Sequence, residues 1–380
     1  MRDPEGLAPE MAVPNVAYFL MTQMDGSRSS VDLQNVFSKQ FQGASVTVQE
    51  IDALIEQLDE AFLLRNNRYE KQLKEHQAAF LNSSTRPAAH AGLSYPDDAS
   101  ALRAMINGFF DEGPGRPHGQ KTEPLKALIA PHIDFNRGGP CFAWAYKALA
   151  ESPPPDLFVV LGTGNSARQP FVMSRKDFET PFGVLKADRD IINQIAEIAP
   201  LDVFADEFAH KEEHAIEFQA VFLKYLYPDQ EIPFIPILCG SFHEMVEGKD
   251  MPESASVVAD FMSGLKKVLD ASGKRICFIA GVDLSHVGQH FGDAGILSDE
   301  FVVDIESVDQ ELIAKAVAGD ANGYFDVVIR ECDRTRVCGT SSIYTMLKTM
   351  DTGKGELLKY DHIVDQDTQQ MVSFVSMAFY

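Results

Sequence analysis

Four short stretches of this sequence carry side chains able to bind a metal or move a proton. In LIAPHIDFNRGGP (128–140) an apolar run breaks into His132 and Asp134 just before a glycine-rich turn. AGVDLSHVGQHFGD (280–293) runs a second apolar segment into Asp283, Ser285 and His286. A D-x-x-H pair can supply a general base and the carboxylate that orients it, because imidazole titrates near neutrality and needs its tautomer fixed. HKEEHAIEFQAVFLKYL (210–226) puts His214 and Glu217 three apart on one side of a helix. RVCGTSSIYTML (336–347) sets Cys338 and Gly339 immediately before a helical period, where the helix dipole favours thiolate. The last three stretches also have a purely structural reading: a capping aspartate with a hydrogen-bonded loop histidine, a solvated acidic helix start, and a buried cysteine at a helix–loop junction.

A site built from His132 and Cys338 suits iron, zinc or copper better than magnesium or calcium, which prefer all-oxygen shells. Two protein ligands leave positions open for water or substrate, as a catalytic rather than a structural metal requires. A hydrolase using Asp283, His286 and Ser341 or Ser342 is the weakest alternative, since no G-x-S-x-G elbow is present.

The elements that would position these residues follow from periodicity. LKALIA (125–130), DLFVVLG (156–162), PFIPILCG (233–240) and ICFIAGVDL (276–284) read as buried strands separated by amphipathic helical stretches. The fold class is α/β, a mixed central sheet with helices on both faces, and the loops after its strands line one crevice. His132, Asp283, His286 and Asn165 of LGTGNSA (161–167) all follow strand ends. MVSFVSMAFY (371–380) alternates like a half-exposed strand and is expected to pair with LLKYDHIVD (357–365).

The first part of the chain has another texture. YFLMTQMDGSRS (18–29) suggests a hairpin at Asp25-Gly26. TVQEIDALIEQLDEAFLL (47–64) opens with a Thr47/Glu50 capping box and lays Ile51, Leu54, Ile55, Leu58 and Phe62 on one helical face. With a helix near 31–39, the expectation is a small winged-helix-like α+β domain and linker over 1–85, then the main domain over 86–380. A bare interaction or dimerisation module is the alternative.

The formal net charge of −23, without an offsetting Lys/Arg cluster, argues against nucleic acid and anionic membranes as partners. No apolar run approaches the roughly 18 residues of a membrane span, and the first residues lack a secretory apolar core. Five cysteines without CxxC spacing suit a reducing compartment, so the expected location is cytoplasmic.

Taken in order, IAPHIDFNRGGPCFAWAYKAL, VVLGTGNSA, DFETPFGVLKAD, EEHAIEFQAVFLKY, FIPILCG, AGVDLSHVGQHFGD and VCGTSSIYTML resemble the Memo-like family, whose bacterial members are called AmmeMemoRadiSam system protein B. The resemblance covers residues 86–380 and implies a fold similar to class III extradiol ring-cleaving dioxygenases. It implies His132 as first metal ligand, Cys338 as the ligand from the C-G motif, and His286, with Asp283, as the acid/base. His214 and Glu217 match a pocket-lining E-H-x-x-E helix. The family's second ligand histidine is Asn165 here, a weak ligand. Asp134 replaces it, or His286 turns inward, or the metal is lost. The expected function is a metal-binding, dioxygenase-like oxidoreductase of unknown small-molecule or peptide substrate. A non-catalytic accessory role beside radical-SAM and AMMECR1-type partners is the alternative. About 60 of the first 85 residues also resemble PqqD-like modules that accompany radical-SAM systems, the remainder being linker.

Overall fold

The computed structural model describes residues 7–8, 12–350 and 355–380. Contacts divide the chain into two units, Met1–Asn82 and Ser83–Tyr380. The first contains α1 (Asn15–Thr22), α2 (Ser30–Gln40), α3 (Val48–Glu60) and α4 (Asn67–Asn82), with no strand among its described residues. The capping box at α3 forms as its spacing predicts: Glu50 N donates to Thr47 Oγ1 at 3.2 Å and Thr47 N to Glu50 Oε2 at 2.8 Å. Leu20, Leu33, Phe37 and Ile51 make the unit's core.

The expected hairpin does not form, so the described residues of this unit are helical and the winged-helix α+β arrangement is not found among them. Its apolar run is too short for periodicity to separate strand from helix, and it winds into α1. The Asp25-Gly26 turn joins two helices instead: Asp25 Oδ1 accepts from Ser27 N at 2.9 Å and Gly26 takes a φ of +81°.

The second unit opens with β1 (Thr85–Arg86), α5 (Ala99–Glu112), β2 (Ala127–Ala130), α6 (Phe135–Ala150) and β3 (Leu157–Thr163). It continues through β4 (Phe171–Met173), β5 (Asp177–Thr180), β6 (Gly183–Leu185), α7 (Arg189–Ile198), α8 (His214–Leu226), β7 (Phe234–Cys239), α9 (His243–Gly248) and α10 (Ser256–Ala271). β8 (Ile276–Gly281), β9 (His286–Val287), α11 (Asp299–Val317), α12 (Ala321–Arg330), α13 (Thr340–Thr349), β10 (Gly355–Asp365) and β11 (Gln370–Phe379) complete it.

The central sheet runs β10-β11-β2-β8-β3-β7-β4, with β9 added on β11. β2, β8, β3 and β7 are mutually parallel, and antiparallel strands close both edges. The MVSFVSMAFY strand pairs with the LLKYDHIVD strand as anticipated, Val375 opposite Tyr360. β2, β3 and β7 are buried along their whole length, which is why they read as unbroken apolar runs. Helices flank both faces: α8 packs on β3 and β8, while α13 packs on β3, β7 and β8 beside α10 and α12. A second sheet, β1-β5-β6, lies beside α8.

Two glycines let α8 approach the strand ends closely. A Cβ at Gly162 would lie 2.6 Å from Ile216 Cγ1, and one at Gly281 2.5 Å from the Ala215 carbonyl oxygen. Among the described residues no helix is long and apolar enough to cross a membrane.

Candidate metal and proton-transfer site

The carboxyl ends of β2 and β8 are adjacent, so the residues following them meet. Asp283 binds them together: its Oδ1 accepts from His132 N at 3.0 Å and from Ile133 N at 3.2 Å. Its main chain does the same for the loop before α13, where Cys338 Sγ lies 3.4 Å from both the amide nitrogen and the carbonyl oxygen of Asp283. His132 Nε2 and Cys338 Sγ, 206 residues apart in sequence, therefore face each other at 3.2 Å. Asp283 Oδ2 stands 3.6 Å from the same His132 nitrogen. His132 Nδ1 is buried without a hydrogen-bond partner.

Burial and the nearby charge of His214 push His132 down to about 3, so its imidazole is neutral. Burial, then the Asp283 charge, pushes the Cys338 thiol up. The thiolate expected from the helix dipole is thus overruled by desolvation. Burial also raises Asp283, against the charge of His286 and the amides of His132 and Ile133.

α8 brings the next group. Glu213 caps it, Oε1 accepting from His214 N at 2.9 Å and Ala215 N at 3.3 Å. The same oxygen stands 3.1 Å from His214 Nδ1. Asn165, after β3, donates to Glu213 Oε2 from its backbone N at 3.1 Å and from Nδ2 at 3.2 Å. Burial opposes charge on both partners, yet their mutual hydrogen bond and attraction raise His214 and hold Glu213 at about 2. The His214 ring centroid is 4.9 Å from that of His132. Sequence reasoning missed Glu213, because glutamate is not a favoured cap and its role depends on Asn165, 48 residues away.

Three sequence-predicted residues stand elsewhere than expected. Glu217 is fully buried against an equally buried Arg86, Nη1 to Oε2 at 2.5 Å. It also accepts from Ala89 N at 3.1 Å, His90 N at 2.9 Å and the Tyr95 hydroxyl. Every lone pair is committed to clamping residues 86–95 onto α8, so Glu217 takes no part in the cleft.

Asp134 is the N-cap of α6, accepting from Arg137 N at 3.2 Å and pairing with Arg137 Nε. Its carboxylate is turned to its own helix. Among the described residues no group of three or more His, Cys, Asp or Glu side chains stands at metal-ligand spacing, so the set His132, Cys338 and Asp134 does not assemble.

His286, on β9, sits at the margin. Its Nδ1 is 3.1 Å from the Leu284 carbonyl, its ring is also hydrogen-bonded to the Arg336 backbone, and it meets Phe291 edge-on at 5.3 Å. Burial lowers its pKa, while the Asp283 charge acts in the opposite direction. Neither serine of the hydrolase reading is held by a histidine: Ser341 Oγ lies 3.4 Å from the Cys239 carbonyl, and Ser342 Oγ has no partner.

Cys338 opens onto a cleft of about 240 Å³ whose walls include Thr163, Asn165, Ser241, His243 and Arg336. The wall before Cys338 is unusual in its backbone: Cys332, Asp333 and Arg336 adopt left-handed φ values of 51°, 48° and 50°. Arg336 Nη2 on Asp293 Oδ1 at 2.6 Å and Val337 N on Asp333 Oδ1 at 3.1 Å fix that shape.

The sequence profile of the Memo-like protein family matches residues 86–378. The chain belongs to the Memo-like family. A "MEMO1 family protein" of Aquifex aeolicus is 32% identical over 387 residues, covering 100% of this chain and 95% of its own length. A namesake from Desulfurococcus amylolyticus is 29% identical over 76% of this chain and 97% of its own. A third, from Thermus thermophilus, is 25% identical over 89% of this chain and 94% of its own. The alignment with the Aquifex protein thus extends over the helical unit, which the family profile does not reach.

Proposed function

We propose that this Memo-like protein binds one transition-metal ion between His132 and Cys338 and acts as a non-haem, dioxygenase-like oxidoreductase on a small molecule or peptide admitted to the cleft. One observation carries the reading: the 3.2 Å approach of His132 Nε2 to Cys338 Sγ. Nitrogen and sulfur held about 2.0 and 2.3 Å from one tetrahedral ion lie roughly 3.5 Å apart, so a few tenths of an ångström of opening would admit it. The neutral imidazole is ready to ligate, and the thiol would release its proton on binding. Iron, zinc and copper all accept this donor pair. When bound, such an ion supplies Lewis acidity or, if redox-active, one-electron chemistry.

The chain's own contribution is placement. Asp283 fixes the two donors, Arg336 and His243 shape the cleft wall, and His286, oriented by the backbone of Leu284 and Arg336, is the group that takes or gives a proton.

The test is elemental analysis of purified protein beside His132→Ala and Cys338→Ala, before and after anaerobic Fe(II) loading. The reading requires near-stoichiometric metal in the parent and its loss in both variants. Equal metal in all three removes this pair from the coordination shell.

The separate helical unit with its own core favours a second reading, an accessory protein for radical-SAM or AMMECR1-type partners. Co-purification that survives the His132 and Cys338 substitutions but fails without residues 1–82 would favour it over the first.

A further inference from the structure

We infer that His214 is the third protein ligand of this metal site, taking the place that Asn165 leaves vacant. The inference rests on the metal reading above and adds a residue to it.

Asp134, Asn165 and His286 are held by other partners. Asp134 serves α6 and Arg137. The Asn165 amide group donates to Glu213. His286 is held by the backbone of Leu284 and Arg336, with its ring against Phe291. His214 meets three separate requirements.

The first is distance. Two imidazoles sharing one ion, each nitrogen about 2.0–2.1 Å from it, carry ring centroids roughly 5 Å apart at a tetrahedral angle. The centroids of His132 and His214 are 4.9 Å apart.

The second is tautomer. A ligating histidine usually donates its other ring N–H to a carboxylate, which orients the ring and raises its basicity. His214 Nδ1 stands 3.1 Å from Glu213 Oε1, which leaves Nε2 as the ligating atom.

The third is Asn165 itself, which holds the far oxygen of that same carboxylate through Nδ2 and its backbone N. The residue that costs the site one imidazole thereby braces the support of another.

Since no three donors stand at ligand spacing among the described residues, the donors must close on the ion as it binds, with His214 Nδ1 staying on Glu213. The His214 side chain is 32% exposed, which leaves room for that movement.

The experiment is cobalt(II) titration of the full chain, read by the sulfur-to-metal charge-transfer absorption and by counting imidazoles with X-ray absorption. The parent, His214→Ala, Glu213→Gln, His286→Ala, Asn165→His and the double variant Asn165→His/His214→Ala are compared. The parent should show one sulfur and two imidazoles. His214→Ala should fall to one imidazole, and Glu213→Gln should weaken binding about 10- to 100-fold. The double variant should regain the second imidazole, a gain that no misfolded protein can give.

Parent binding with one sulfur and one imidazole overturns the inference while sparing the metal reading. So does an unchanged His214→Ala with loss in His286→Ala. A parent that binds no cobalt removes the metal reading itself, and this inference with it.

Discussion

Replacing Glu217 by glutamine separates a structural residue from a catalytic one. Glu217 and Arg86 are both wholly buried, and the carboxylate answers four donors. Glutamine keeps the shape but removes the charge, and places an NH₂ group against amides that also donate. Arg86 keeps its bonds to the carbonyls of His210, Glu213 and Pro87, yet its charge is left without a counter-ion. Breaking one half of a buried pair costs about 3–5 kcal/mol. At roughly 2 °C per kcal/mol for a unit this large, Tm should fall by about 6–10 °C in a calorimetric scan at pH 7.

The pH dependence has a defined sign. Burial pushes Glu217 up, but Arg86, His90 and the Tyr95 hydroxyl outweigh it, so the folded carboxyl lies below its ordinary value. A depressed acid stabilises the fold above its unfolded pKa, about 4.3, and loses that contribution as pH falls through the folded value. The Tm gap between parent and variant should therefore shrink in acid. A variant within about 1 kcal/mol of the parent, or a gap indifferent to pH, refutes the clamp. Lost turnover at unchanged Tm would return Glu217 to the chemistry.

Asp134→Ala should cost about 1 kcal/mol by removing the α6 cap while metal content stays at the parent level; loss of metal would make Asp134 a ligand after all. Gly288→Ala should cost at least about 2 kcal/mol in chemical denaturation, since its φ is +109° and a Cβ would lie 2.2 Å from the Gln369 carbonyl oxygen. Asp309, buried on α11, accepts from Ser285 Oγ at 2.6 Å and Tyr360 OH at 2.8 Å. Asp309→Leu should therefore cost about 1–3 kcal/mol per orphaned hydroxyl, and Asp309→Asn much less, in urea unfolding at pH 7.

What the sequence discloses here is set by how local the cause is. Four buried strands announce themselves as apolar runs, and the strand ends place His132, Asn165 and Asp283 at one end of the sheet, whereas Cys338 precedes a helix and is brought there by the Asp283 main chain. The α3 capping box needs only Thr47 and Glu50. Asp134 was also readable locally, since Arg137 lies one helical turn on. Glu217 was not: its partner is 131 residues away, and a helix-start glutamate looks the same whether it faces a cleft or a guanidinium. The left-handed turns at Cys332, Asp333 and Arg336 leave no trace either, because none is a glycine. The missed hairpin is a third kind of error, a turn signal correctly located between elements of the wrong type.

The position of Asp283 has a mechanical outcome. A single residue grips one donor-bearing loop through its side chain and the other through its peptide groups, so imidazole and sulfur share one anchor. Substitutions in the surrounding walls can change which ions or molecules are admitted while the jaws themselves stay at the same gauge.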